Sequence, residues 1–271
     1  MKYAIKAVVL GLSLFLANGS IAYAQDIKKG FEALQKGDHA AVLREWRPLA
    51  EQGNVSAQFY LGLAYFGGQD IPQDYKEAVK WFRLAAEQGD ADARYILGLA
   101  YFGGQGIPQD YKEAVKWYRL AAAQGNASAQ SNLGAMYNKG QGVTQDHKEA
   151  VNLFQLSAAQ GNESAQFNLG LAFFEGRGIP QDYKEAVKWF RLAAEQGISV
   201  AQSNLGGMYY NGQGVIKDNV YAHMWFNIAA SSGNSASVKN RDIVAKKMTA
   251  ADISKAQDLA RACVQKNYKG C

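Results

Sequence analysis

Six glycines, Gly53, Gly89, Gly125, Gly161, Gly197 and Gly233, follow one another at a constant interval of 36 residues. Between them the chain restates itself. Ile71 to Gly89 (IPQDYKEAVKWFRLAAEQG) recurs letter for letter as Ile179 to Gly197, and with two changes as Ile107 to Gly125. A fixed period of this length denotes one supersecondary unit copied along the chain, and such a unit cannot hide its apolar face alone. Stacking of copies is therefore the first requirement any fold must meet.

The grammar inside a copy is helix, glycine-rich loop, helix. The first helix carries Ala57, Leu61, Gly62 and Tyr65, whose spacings of four, one and three share one face. A glycine in that stripe weakens the helix, so its recurrence points to close approach by a neighbouring helix backbone. The loops GGQDIPQD, GGQGIPQD, KGQGVTQD, EGRGIPQD and NGQGVIKD break the helix and turn the chain. The second helix opens at Asp74 with Glu77 three residues on, the spacing of a capping box. It buries Tyr75, Ala78, Phe82 and Ala85, and stops at the periodic glycine, the usual residue of a left-handed terminus.

This reading divides the chain into five full units, 54–89, 90–125, 126–161, 162–197 and 198–233. Residues 25–53 form a partial first unit, with helices over Asp26 to Leu34 and His39 to Gln52, and with Pro48 expected to distort its last turn. Past Gly233 the loop glycines vanish and Arg241 stands in the register of Leu61. Residues 234–271 read as a closing cap of two helices, 236–247 and 250–266, the second opened by Thr249 and Asp252.

The ends speak of export. Lys2 and Lys6, the apolar run Ala7 to Ala17 and the small-x-small site Ala22-Tyr23-Ala24 make residues 1–24 a signal peptide. That run is too short to span a bilayer, and no later stretch resembles a membrane segment. In an exported chain the neighbouring Cys263 and Cys271 are expected to pair as a disulfide. The net charge of +5 is modest and its signs are interspersed, which does not favour nucleic acid. His39, His147 and His223 lack the i, i+4 partners of a zinc site, and His147 simply occupies the column of Tyr75, Tyr111 and Tyr183. No catalytic constellation, metal site or cofactor is indicated.

The stretches Ala129 to Val143 and Ala201 to Val215 (A-Q-x-N-L-G-x-M-Y-x-x-G-x-G-V), followed by the pattern of Asp74 to Gly89 (D-x-x-x-A-x-x-W-x-x-x-A-A-x-x-G), resemble the Sel-1-like repeat, a subclass of tetratricopeptide-like solenoids. The resemblance implies an all-α fold of antiparallel helix hairpins in a right-handed superhelix, used for protein–protein contact and not for chemistry. Exported bacterial members are associated with periplasmic scaffolding, envelope assembly or host-cell contact, so a periplasmic monomer with a protein or peptide partner is the expectation. One branch with a disulfide in every repeat has been linked to penicillin binding. This chain has no such cysteine pair and no S-x-x-K, which disfavours a hydrolase acting on β-lactams or wall peptides.

In such stacks the residues beside the Leu-Gly stripe line the concave groove. On this sequence they include Phe59, Tyr95 and Phe167, then Tyr60, Asn132, Asn168 and Asn204, then Phe66, Phe102, Asn138, Phe174 and Tyr210. The asparagines can pair with an extended peptide backbone, and the aromatic rings can supply apolar anchors. First helices differ at these positions while second helices are nearly identical, as though duplication kept the frame and altered the groove.

Overall fold

In a computed structural model of the chain the described residues are 21–68 and 71–271, which form fourteen helices and no strand. The expected signal peptide lies outside these residues, except for its last four, which begin the first helix. That helix, α1 (Ile21–Gln35), starts five residues earlier than the sequence indicated. It pairs with α2 (His39–Glu51), which runs through Pro48 to end with the Gln52 amide donating to the Pro48 carbonyl. The hairpins that follow are α3 (Val55–Gly67) with α4 (Tyr75–Glu87), α5 (Ala91–Gly103) with α6 (Tyr111–Ala123), α7 (Ala127–Lys139) with α8 (His147–Ala159), α9 (Glu163–Glu175) with α10 (Tyr183–Ala194), and α11 (Ser199–Asn211) with α12 (Asn219–Ser231). The closing pair is α13 (Ser235–Ala245) and α14 (Ala250–Gln265).

Helix ends follow the local chemistry. Asp74 accepts from the amides of Lys76 and Glu77, and Asp110, Asp146, Asp182 and Asp218 repeat the arrangement. Glu77 does not complete a capping box; it faces Lys80 at 3.5 Å instead. The reciprocal box forms at Thr249 and Asp252, opening α14. At the other end Gly89 sits at φ +103°, and the Asp90 amide reaches back to the Ala85 carbonyl at 3.1 Å.

The described residues fall into two compact units, one running to Ala129 and taking in Gln141–Val143, the other comprising Gln130–Gly140 and Thr144–Cys271. In the first, Leu61 and Leu97 are fully buried, each contributing about 1.5–3 kcal/mol by leaving water. A Cβ on Gly62 would lie 2.7 Å from the Phe82 ring, and one on Gly98 would lie 2.6 Å from Tyr118. The stripe glycine therefore admits an aromatic ring of its own hairpin, where the sequence had suggested a neighbouring backbone. The close backbone approach occurs instead in the loops: a Cβ on Gly106 would stand 2.2 Å from the Tyr75 carbonyl oxygen.

Neighbouring repeats are also tied by polar side chains. The Arg83 guanidinium donates to the Tyr101 hydroxyl at 2.9 Å, and Arg47 makes the same bond to Tyr65. Gln88 donates to the Gly53 carbonyl and to buried Gln58, while Gln124 reaches Gly89 and accepts from Arg94.

The second unit repeats these devices: Arg191 to Tyr209 at 2.8 Å, Gln196 to Gln166 and Gly161, and Gln160 to Gln130. Its core joins Phe190, Leu205, Met208, Trp225 and Ile228 to Ala260 and Cys263 of the cap. The Cys263–Cys271 disulfide is formed, folding the tail so that Tyr268 packs at Gly197 and the Gly270 amide meets the Glu195 carboxylate at 3.3 Å.

Candidate binding face

The positions singled out for contact with a partner lie on the first helices α3, α5, α7, α9 and α11, and their surroundings differ. Phe59 and Tyr60 are in the core, 6% and 8% exposed, which removes them from the surface a partner can reach. The partial first unit covers Tyr60, with Phe31 and Trp46 packed on its ring at 4.7 and 5.5 Å, while Phe59 packs on Phe82 of its own hairpin at 5.9 Å. Burial, with Asp90 and Asp92 adding to it, pushes the Tyr60 hydroxyl up to about 12.

The remaining positions are half-buried: Phe66, Tyr95, Phe102, Asn132, Asn138, Phe167, Asn168, Phe174, Asn204 and Tyr210. Tyr95 and Phe167 rest on Tyr118 and Phe190 at 6.0 and 5.9 Å. Phe66, Phe102 and Phe174 pair with Tyr75, Tyr111 and Tyr183 at 5.2, 5.4 and 5.5 Å. These rings serve packing and face solvent at once, a property of aromatic side chains with large areas.

Two positions depart from the pattern. At the column of that ring pair, α7 and α8 hold Asn138 and His147, joined by a 2.8 Å hydrogen bond between Asn138 Oδ1 and His147 Nδ1. Beside them is a cleft of about 110 Å³ lined also by Phe154, Val151, Asn168, Leu171, Glu175 and Arg177. At the last repeat, Tyr210 lies between Lys217 and Lys247, whose ammonium groups are 5.6 and 4.8 Å from its ring centre, and Lys247 also donates to its hydroxyl. Lys247 belongs to the segment joining α13 to α14, a contact sequence spacing did not suggest.

His223, whose spacing offers no metal partner, is nonetheless unusual. It stands where the other second helices carry Val79, Val115, Val151 and Val187, and it is buried with Nδ1 unpartnered. Burial first, then the nearby Arg241 cation, hold its pKa below the usual histidine value, with Asp242 opposing. Among the described residues no group of three or more His, Cys, Asp or Glu is placed to hold a metal, and no helix is long and apolar enough to cross a membrane.

Helix hairpins that recur at one period, tied within each compact unit by Arg–Tyr and Gln side-chain bonds and bearing a variable face on their first helices, define an all-α repeat scaffold of the solenoid class. The family model of the Sel1 repeat matches residues 55–90, 91–126, 127–162, 163–198 and 199–234, one residue later in frame than the sequence division. The chain belongs to the Sel1 repeat family. It is similar to a Sel1 repeat protein from Oxalobacter formigenes, whose crystal structure shares 28% identity at a TM-score of 0.75 over 91% of this chain and 97% of that one. It is also similar to a protective antigen of uropathogenic Escherichia coli strains that displays an SLR fold, at 29% identity and a TM-score of 0.61. That alignment covers 98% of this chain, which spans 65% of the antigen's length. No curated protein matches the chain.

Proposed function

We propose that this protein is an exported, non-enzymatic scaffold of the bacterial envelope that holds a partner protein or peptide against the variable face of its first helices. The observation that carries the reading is the distribution of change among the repeats: the second helices of the first, second and fourth full repeats are near copies, whereas half-buried positions of the first helices vary between aromatic, amide and small side chains. Asn132, Asn168 and Asn204 offer amides one repeat apart, and Tyr95, Phe102, Phe167, Phe174 and Tyr210 offer apolar area. Family membership supports a role in protein contact.

Co-purification with the processed chain tests this. A partner should be retained by the wild type and lost from Asn168→Ala/Asn204→Ala with an unchanged melting curve; retention by that variant would move the binding face elsewhere. Export is tested separately: fractionation should recover a periplasmic chain beginning at Gln25. Recovery at the surface would favour contact with host cells, a reading supported by the similarity to the E. coli protective antigen.

A further inference from the structure

The repeats diverge from one another at scattered positions, yet several of the changes peculiar to the third and fourth copies converge at one place. Columns occupied by Leu63, Phe66 and Tyr75 become Ala135, Asn138 and His147 in the third copy. In the fourth, the loop column held by Gln105, Gln141 and Gln213 becomes Arg177, and the column of Gly67 and Gly103 becomes Glu175. Asn138, His147, Glu175 and Arg177 all line the single 110 Å³ cleft, over a floor of Ala150, Val151, Phe154, Leu171 and Ala172.

What is missing there is visible in the other copies. Phe174 packs 5.5 Å from Tyr183 and 6.4 Å from Phe190, and Phe66 packs 5.2 Å from Tyr75 and 6.4 Å from Phe82. In the third copy the equivalent of Phe190 and Phe82 is retained as Phe154, while both companion rings are gone. An amide and an imidazole bonded to each other hold the edge in their stead. The cleft is of the same order as the roughly 150 Å³ cavity that accepts benzene, and its open side lets a ring enter from solvent. Its rim is polar, with the Arg177–Glu175 ion pair at 3.1 Å and the Asn168 amide.

We infer that this cleft takes an aromatic side chain with a polar tip, a tyrosine, presented by the partner and completing the ring cluster that the third repeat lacks. The inference rests on the protein-binding reading above. The ring would lie against Phe154 and the aliphatic floor, and the hydroxyl would reach the amide, imidazole and guanidinium groups of the rim. The rim groups already pair with each other, Asn138 with His147 and Glu175 with Arg177, so the hydroxyl distinguishes tyrosine from phenylalanine by adding a bond to their spare donors and acceptors that a bare ring cannot make.

The test needs no partner. N-acetyl-tyrosinamide titrated into the full chain, followed by methyl NMR, should give saturable shifts at Ala150, Val151, Leu171 and Ala172, with a Kd on the order of 1 mM. N-acetyl-leucinamide should shift them at least tenfold less at equal concentration. In Asn138→Phe/His147→Tyr, which rebuilds the ring pair of the first, second and fourth copies, the tyrosinamide shifts should vanish while the melting temperature holds or rises. Absence of saturable shifts in the wild type, equal response to the leucine probe, or undiminished binding by a folded double variant would each overturn the inference. Should the double variant fold poorly, the wild-type comparison of the two probes decides alone. A failed titration with retained co-purification sinks the cleft and leaves the scaffold standing; a positive titration with no co-purified partner does the reverse.

Discussion

At single positions the glycines of the first helices show how one missing methyl group shapes a repeat. Gly98 leaves room for the Tyr118 ring, and a Cβ there would come within 2.6 Å of it, whereas at Gly206 the corresponding distance to Phe226 is 3.0 Å. Alanine gains about 1 kcal/mol in helix propensity over glycine, but overpacking a filled core costs roughly 1–3 kcal/mol. Gly98→Ala is thus expected to lower stability, and Gly206→Ala to be milder or neutral, as chemical denaturation would report. A destabilisation larger at Gly206 than at Gly98 would contradict this packing account. The glutamine ties give a second prediction. Gln88, Gln124, Gln160 and Gln196 share a column that becomes Ser232 in the last copy, and the Oε1 of buried Gln202 is left without a partner. Ser232→Gln should supply the missing donor and raise stability by about 1 kcal/mol.

Among elements, the cap is where the repeat pattern is replaced by polar chemistry. His223 on α12 and Arg241 on α13 occupy columns that hold valine and leucine elsewhere. His223 is held neutral by burial and by the Arg241 cation, so its folded pKa lies below the unfolded value near 6.5. Between the two values the unfolded chain binds the extra proton and the folded chain does not, so stability rises with pH there. Stability is therefore full above about pH 6.5 and declines as pH falls below it. Thermal melts from pH 7.5 to 5.5 should show this decline in the wild type and a shallower one in His223→Val; parallel curves would refute it. The tail adds a second element-scale effect. The Cys263–Cys271 bridge spans a separation of 8 residues and secures Tyr268 and Gly270 against the fourth repeat. Chain-entropy reasoning gives a loop this short roughly 2.5 kcal/mol, so reduction should lower the melting temperature by a few degrees without unfolding the repeats.

For the molecule as a whole, stability is a sum of hairpins and of interfaces between neighbours, and the end of the series needs covering. The last full repeat buries Trp225, Met224 and Ile228 completely, and α12 packs on both α13 and α14. Truncation after Gly233 should leave a helical but aggregation-prone chain that binds a hydrophobic dye, measurable by light scattering and fluorescence. A truncated chain as soluble as the full one would show that the cap is dispensable.

Much of this architecture was legible in the residue string. The interval of the glycines, the Asp-x-x-Glu starts and the 3.6-residue apolar stripes determined hairpin lengths, turn positions and helix order, because each depends on contacts within a few residues. Even the paired cysteines could be read from their proximity and the expectation of export. The contacts between copies could not. That Arg83 reaches Tyr101, that Gln88 meets Gln58 and that Tyr60 disappears beneath Phe31 and Trp46 depend on the distance and angle at which one hairpin lies on the next, as the ring facing the first-helix glycine depends on how the two helices of one hairpin cross. Comparing the repeats column by column flags Asn138, His147 and Arg177 as departures. Only the tertiary structure brings them around one cleft, because residues up to 39 positions apart become neighbours when an entire hairpin folds between them.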